Sequence, residues 1–94
     1  MDIAIANIVQ SYAGRDKGKL FFVLGVEGEY LLLADGKSRK VEAPKRKKRR
    51  HVRFVSSMET RASAMRTGEE KITNSELRRA LAVFRETDYP IQEG

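Results

Sequence analysis

From residue 3 to residue 55, short apolar runs alternate with turn-forming residues, and no stretch sustains a helical period. Runs 3–10 and 19–26 are rich in β-formers. The second places apolar side chains on both faces, with Leu20, Phe22 and Leu24 on one side and Phe21 and Val23 on the other. Glu27-Gly28 gives a short connection, suited to a hairpin, into the run 30–34. Asp35-Gly36 follows, a dipeptide that accepts the positive φ angles of a type I′ turn. Segments 38–42 and 51–55 complete the pattern, with Val52 and Phe54 on one face of the latter. Four or five short strands at a spacing of about ten residues predict a small barrel or sandwich.

After Val55 the period changes. Met58, Ala62 and Met65 stand at i, i+4 and i+7, and Gly68 follows as an expected C-terminal cap. A second helix is better marked. Thr73 and Glu76 form a T-x-x-E capping box, flanked by Ile72 and Leu77 as a hydrophobic staple. Leu77, Leu81 and Phe84 then make one apolar stripe, with Ala80 beside it and Arg78, Arg79 and Arg85 off it. The expected organisation is a β unit over 1–55, containing a basic loop at 37–51, and a helical C-terminal extension over 56–94. The stripe is expected to pack on the β unit. Left exposed, helix 74–86 would be a surface for a protein partner.

Ninety-four residues make one small domain, 40% apolar and 34% charged, which fits a modest core under a wet surface. A chain this short buries only about 60–65% of its unfolded surface. There are no cysteines, which removes disulfides, thiolate metal sites and cysteine nucleophiles, and the single His51 excludes any site needing two imidazoles. No apolar run approaches the roughly 18 residues a membrane span needs. With no basic residue before Arg15, no secretory signal is expected. The expectation is a cytoplasmic, monomeric protein with no membrane contact.

Charge sharpens this picture. Residues 37–53 hold ten Lys or Arg against one acid, Glu42, while the rest of the chain holds nine basic and twelve acidic residues. A mildly acidic body therefore carries one strongly basic strip, centred on Lys45-Arg46-Lys47-Lys48-Arg49-Arg50. Consecutive cations repel, and phosphates relieve that repulsion while releasing counterions. The bland reading is a solvated loop or an address signal. Contact with nucleic acid is favoured over it. The run 45–50 is expected to be mobile when free and fixed when bound.

The most specific stretch is Val9-Gln10-Ser11-Tyr12-Ala13-Gly14-Arg15-Asp16-Lys17-Gly18-Lys19, a tight basic loop with two glycines between apolar strands. Gly14 and Gly18 would supply backbone conformations closed to other residues. Arg15, Lys17 and Lys19 crowd cations around it, and Tyr12 offers a ring face to a base. Asp16 reads as a loop former that binds backbone amides.

On these residues the chain resembles the KOW motif family. Ile8-Val9 matches its first strand, Gly14 its central glycine and Lys17-Gly18-Lys19 its basic loop. The likeness extends to small bacterial KOW-domain RNA-binding proteins, which are similar to a KOW-bearing protein of the archaeal and eukaryotic large ribosomal subunit. It is carried by Ala13-Gly14-Arg15-Asp16, Asp35-Gly36-Lys37, Arg39-Lys40 and Pro44-Lys45-Arg46-Lys47-Lys48, and later by Gly68, Ile72-Thr73-Asn74 and Glu76-Leu77-Arg78. The sequence departs from the family at Ala6, where a glycine usually heads the first strand.

The resemblance implies a mainly β fold, a small SH3-like β-barrel, followed by two short helices. It also implies RNA binding through Tyr12, Gly14, Arg15, Lys17 and Lys19 of the loop and Arg39, Lys40, Lys45, Arg46, Lys47, Lys48, Arg49 and Arg50 of the strip. Ribosomal RNA or the ribosome is the expected partner, with both basic segments on one edge.

Of the other residues, Tyr12 and Tyr30 are balanced between packing and base stacking. Phe22 and Phe54 are assigned to the core, and His51 to a strand flanking the loop. No catalytic constellation is found. Gly18-Lys19-Leu20 lacks the hydroxyl of a phosphate-binding loop, and Glu69-Glu70 is expected in an exposed turn. The expectation is a non-enzyme without cofactor or metal. An alternative is a transcription or translation accessory factor whose KOW domain binds protein. A DNA-binding helix-turn-helix over 58–86, using Arg78, Arg79 and Arg85, ranks lower because the strongest charge lies elsewhere.

Overall fold

The computed structural model describes residues 2–67 and 71–86. The expected cap at Gly68, the pair Glu69-Glu70 and residues 87–94 lie outside them. Five strands, β1 (Asn7–Ser11), β2 (Leu20–Glu27), β3 (Tyr30–Ala34), β4 (Lys45–Lys48) and β5 (Val52–Ser57), form one antiparallel sheet in the order β4-β3-β2-β1-β5. The helices α1 (Glu59–Thr67) and α2 (Asn74–Glu86) follow.

The residues of β2 explain the layering. Leu20 and Phe22 join Ala6, Ile8, Ala34, Ala62, Ile72, Leu77 and Leu81 in one core. Phe21 and Val23 point the other way, into a second core with Ile3, Val9, Leu31, Leu33 and Val52. No helical residue belongs to that second core, so the sheet must fold around it. Chain connectivity requires the same curl. β4 and β5 are the two edges, yet only the 3-10 turn Arg49–His51 separates them. Across a flat sheet the edges would stand about 19 Å apart. The link from Lys48 to Val52 reaches about 14 Å even when extended. Register shifts between Ile8 and Val9 and between Val23 and Gly25 supply bends. The result is a curled sheet whose edges are not paired with each other.

Several local expectations are met. β3 spans 30–34 as read from the apolar run, and Gly28-Glu29 turns the hairpin, with Gly28 at φ 62° and Glu27 opposite Tyr30. The capping box forms: Glu76 N–H donates to Thr73 Oγ1 at 3.2 Å, and Thr73 N–H donates to Glu76 Oε1 at 3.0 Å. Leu77 and Leu81 are fully buried against the sheet, so the stripe is occupied within the chain. The C-terminal helices are unequal. α2 alone carries an apolar stripe, whereas α1 contributes the buried Ala62, with Met58 and Met65 alongside.

Two expectations are corrected. Segment 38–42 is not a strand. It belongs to a loop whose Asp35 and Gly36 N–H groups both donate to Arg39 O, so Asp35-Gly36 opens a broad turn rather than a tight hairpin. Conversely, 37–51 is not one basic loop, because Lys45–Lys48 is a strand paired with β3 and Arg49–His51 is a turn of 3-10 helix. Ala6 holds a left-handed φ of 70°, a conformation a glycine there would adopt freely.

Candidate nucleic-acid interface

The strand period sorts the basic run. Lys45 and Lys47 stand opposite Leu33 and Leu31, whose side chains fill the inner core, so both lysines are directed to the inner face. Arg46 and Lys48 face outward. The inward charge is met by Asp16 from the β1–β2 loop. Lys47 Nζ donates to Asp16 Oδ1 at 2.9 Å and to Ala13 O at 2.8 Å. Lys45 Nζ lies 2.8 Å from Oδ2, and Ser11 Oγ donates to Oδ1 at 2.8 Å. Asp16 is thus a buried acceptor for two ammonium groups and a hydroxyl, not a binder of backbone amides. Burial alone would push its pKa up. The Lys45, Lys47 and Ser11 contacts outweigh burial and hold it well below the usual carboxylate range.

This carboxylate shapes the loop. Gly14 and Gly18 have φ angles of 84° and 92°, and Gly18 N–H donates to Ser11 O at 2.7 Å. With Asp16 turned inward, Arg15, Lys17 and Lys19 are exposed. The 35–44 loop repeats the device. Asp35 Oδ1 accepts from the N–H groups of Lys37 and Arg39, each at 2.8 Å, and Oδ2 accepts from Ser38 Oγ at 2.7 Å. Burial pushes the Asp35 pKa up, and these donors bring it below its ordinary value. Lys37 and Arg39 are left exposed.

α2 fixes the same loop from behind. Arg78 Nη1 donates to Gly36 O at 2.6 Å, and Val41 N–H donates to Asn74 Oδ1 at 2.8 Å. Asn74 Nδ2 donates to Glu42 Oε1, a contact that lowers the Glu42 pKa.

Between the two loops runs a groove. One part, about 300 Å3, is lined by Arg15, Asp16, Lys19, Phe21, Ser38, Arg39 and Lys45. An adjoining part, about 560 Å3, is lined by Gly18, Lys19, Leu20, Asp35, Lys37, Ser38 and Arg85. Lys19 and Ser38 line both, so the two parts are continuous. Arg15, Lys19, Lys37, Arg39 and Arg85 have no carboxylate partner among the described residues. Both acids of the lining are matched locally: Asp35 by hydrogen-bond donors at both oxygens, Asp16 by donors at Oδ1 and by the Lys45 ammonium as an ion pair at Oδ2. A concave surface of one charge sign concentrates polyanions.

The structure therefore brings Arg15, Lys19, Arg39 and Lys45 together, so the glycine loop shares an edge with the first part of the basic strip but not with residues 46–50. Lys17 and Lys40 are exposed but outside the groove lining, as is Gly14, which turns the loop at a φ of 84°. Lys47, 8% exposed, is withdrawn from any surface role. Arg46 lies on the outer face, 4.0 Å from the Tyr30 ring centroid and 3.5 Å from Glu27. Lys48, Arg49 and Arg50 line a separate depression at the β4–β5 corner with Gly28 and Glu29. Arg49 is 2.8 Å from Asp2, and the Tyr12 hydroxyl donates to the Arg50 carbonyl. Sequence reasoning left Lys37, Ser38 and Arg85 out of the site. Lys37 was marked by its place at the head of the basic strip, but nothing local marks Arg85, whose position depends on how α2 docks.

No protein-family model matches the chain, and no curated protein matches it. Among the described residues no helix is long and apolar enough to cross a membrane, and no cluster of three or more His, Asp or Glu is placed to hold a metal ion.

Proposed function

We propose that the chain is a non-catalytic RNA-binding module of KOW type, acting in the cytoplasm on ribosomal RNA or the ribosome. The observation that carries this reading is the groove, in which cations from the glycine loop, the 35–44 loop and α2 converge without carboxylate partners among the described residues. The curled sheet supports an SH3-like barrel with its edges drawn together by the Arg49–His51 turn. Gly14 and Gly18 at positive φ suit the loop geometry that the KOW resemblance implies. Phosphate neutralisation supplies the affinity, and the internally satisfied Asp16 and Asp35 keep the site open to an anion. The alternative, a factor that docks a protein through helix 74–86, loses its surface, because Leu77 and Leu81 are buried within the chain.

The test is a salt titration of RNA binding alongside in-cell crosslinking. Neutralising about five phosphates gives a slope of log K against log salt near −4 to −5. Replacing Arg15, Lys19 and Arg39 by Gln lowers the slope by about 2–3 and removes the crosslinks. Crosslinks on large-subunit ribosomal RNA identify the ribosome. A slope near zero refutes the reading.

A further inference from the structure

We infer that the groove grips the sugar-phosphate backbone of double-helical RNA rather than unpaired bases, and therefore binds with little regard to base sequence. This rests on the RNA-binding reading and specifies the form of RNA. Proteins that hold unpaired bases present rings on which the bases stack. The groove offers no such ring. Among the described residues Phe21 is its one aromatic lining residue, and it is 1% exposed. Among the described residues no tyrosine lines the groove: the Tyr12 hydroxyl bonds the Arg50 carbonyl and its half-exposed ring lies at the β4–β5 corner, and the face of Tyr30 is occupied by the Arg46 guanidinium.

What the groove does offer is charge in fixed positions. Its cations without a carboxylate partner among the described residues come from two loops and a helix terminus. The loops are set by buried carboxylates, and the 35–44 loop is further clamped by Arg78 and Asn74. Such a preformed surface loses little freedom on binding a rigid ligand. Gly18 lines one wall without a side chain, which lets a backbone approach closely. Double-helical RNA is recognised by shape and by phosphate and 2′-hydroxyl contacts, and it presents its phosphates in regular rows.

The experiment measures fluorescence anisotropy of the full chain, at one fixed salt concentration, with five labelled probes. These are a mixed-sequence RNA duplex of about 20 base pairs, each of its strands alone, a second duplex of unrelated sequence, and a DNA duplex matching the first. Both RNA duplexes are expected to bind within about threefold of each other and at least about tenfold tighter than either strand. Changing Lys19 and Arg39 to Gln should weaken duplex binding about tenfold or more, while Arg79→Gln, exposed and outside the groove, leaves it unchanged. Single strands binding as tightly as duplex would overturn the inference and leave RNA binding standing, with the guanidinium groups stacking on bases instead. A strong difference between the two duplex sequences would also overturn it. Binding of no probe, or tighter binding to the DNA duplex, would overturn the RNA-binding reading itself.

Discussion

Lys47 Nζ and Asp16 Oδ1 meet 2.9 Å apart with side chains only 8% and 7% exposed, so the middle of the most basic run in the chain lies inside the protein. The pair joins the β1–β2 loop to the edge strand β4. Replacing Asp16 by Asn leaves Lys47 buried without its counter-charge, and is expected to cost about 3–5 kcal/mol. Lys47→Met should cost less, because the carboxylate keeps Lys45 and Ser11. Urea unfolding of both variants measures the order. Changing all of 45–50 to neutral residues would therefore damage the fold as well as any binding surface.

The same carboxylate sets an acid limit. Its pKa in the folded chain lies below the unfolded value of about 3.9, so folding is favoured by the ionised form. That stability is complete above the unfolded pKa and is lost as pH falls from about 4 toward the folded value. Asp35, also depressed, adds to the loss in the same direction. The urea midpoint should fall as pH is lowered from about 5 to about 3, through the unfolded carboxylate pKa of about 3.9, and Asp16→Asn should flatten that fall.

Two glycines at positive φ should respond differently to alanine. A Cβ on Gly36, at φ 80°, would lie 2.4 Å from the Asn74 carbonyl oxygen and 3.0 Å from Leu77 Cβ. Gly36→Ala must push α2 off the loop, and a loss of about 3 kcal/mol or more is expected. Gly28, at φ 62°, has nothing within 4 Å of the same added atom. Gly28→Ala carries only the backbone penalty of about 1 kcal/mol. Thermal melts of the pair separate steric contact from backbone preference.

Thr73→Ala removes the acceptor for the Glu76 N–H, which donates to it at 3.2 Å. About 1 kcal/mol of stability should be lost. Thr73→Ser should restore most of it, and denaturant midpoints of the two variants check the cap.

Much of this was legible where one residue type carries one physical cause. The hairpin at Gly28, the capping box and the Leu77-Leu81 stripe follow from local spacing alone. The basic strand did not, because six like charges show no alternation from which a strand could be read. Its inner face is defined by an aspartate 31 positions away, and that partner appears only when the loop folds over the sheet. The groove was half legible for a related reason. Its two loops are marked by glycine and charge, whereas Arg85 arrives through the fit of α2 against Gly36.

β1 lies between β2 and β5, and the second of those partners is made last. Asn7 and Ser57, bonded through their side chains, are 50 positions apart. The β2-β3-β4 meander can assemble from neighbouring residues, but β1 stays half-paired until β5 arrives. Closing so long a loop is the slow part of folding such a sheet. The final strand is therefore the committing one. Until it docks, the chain would carry an unpaired edge of β1 beside a partly formed meander, the kind of species that is open to aggregation or proteolysis.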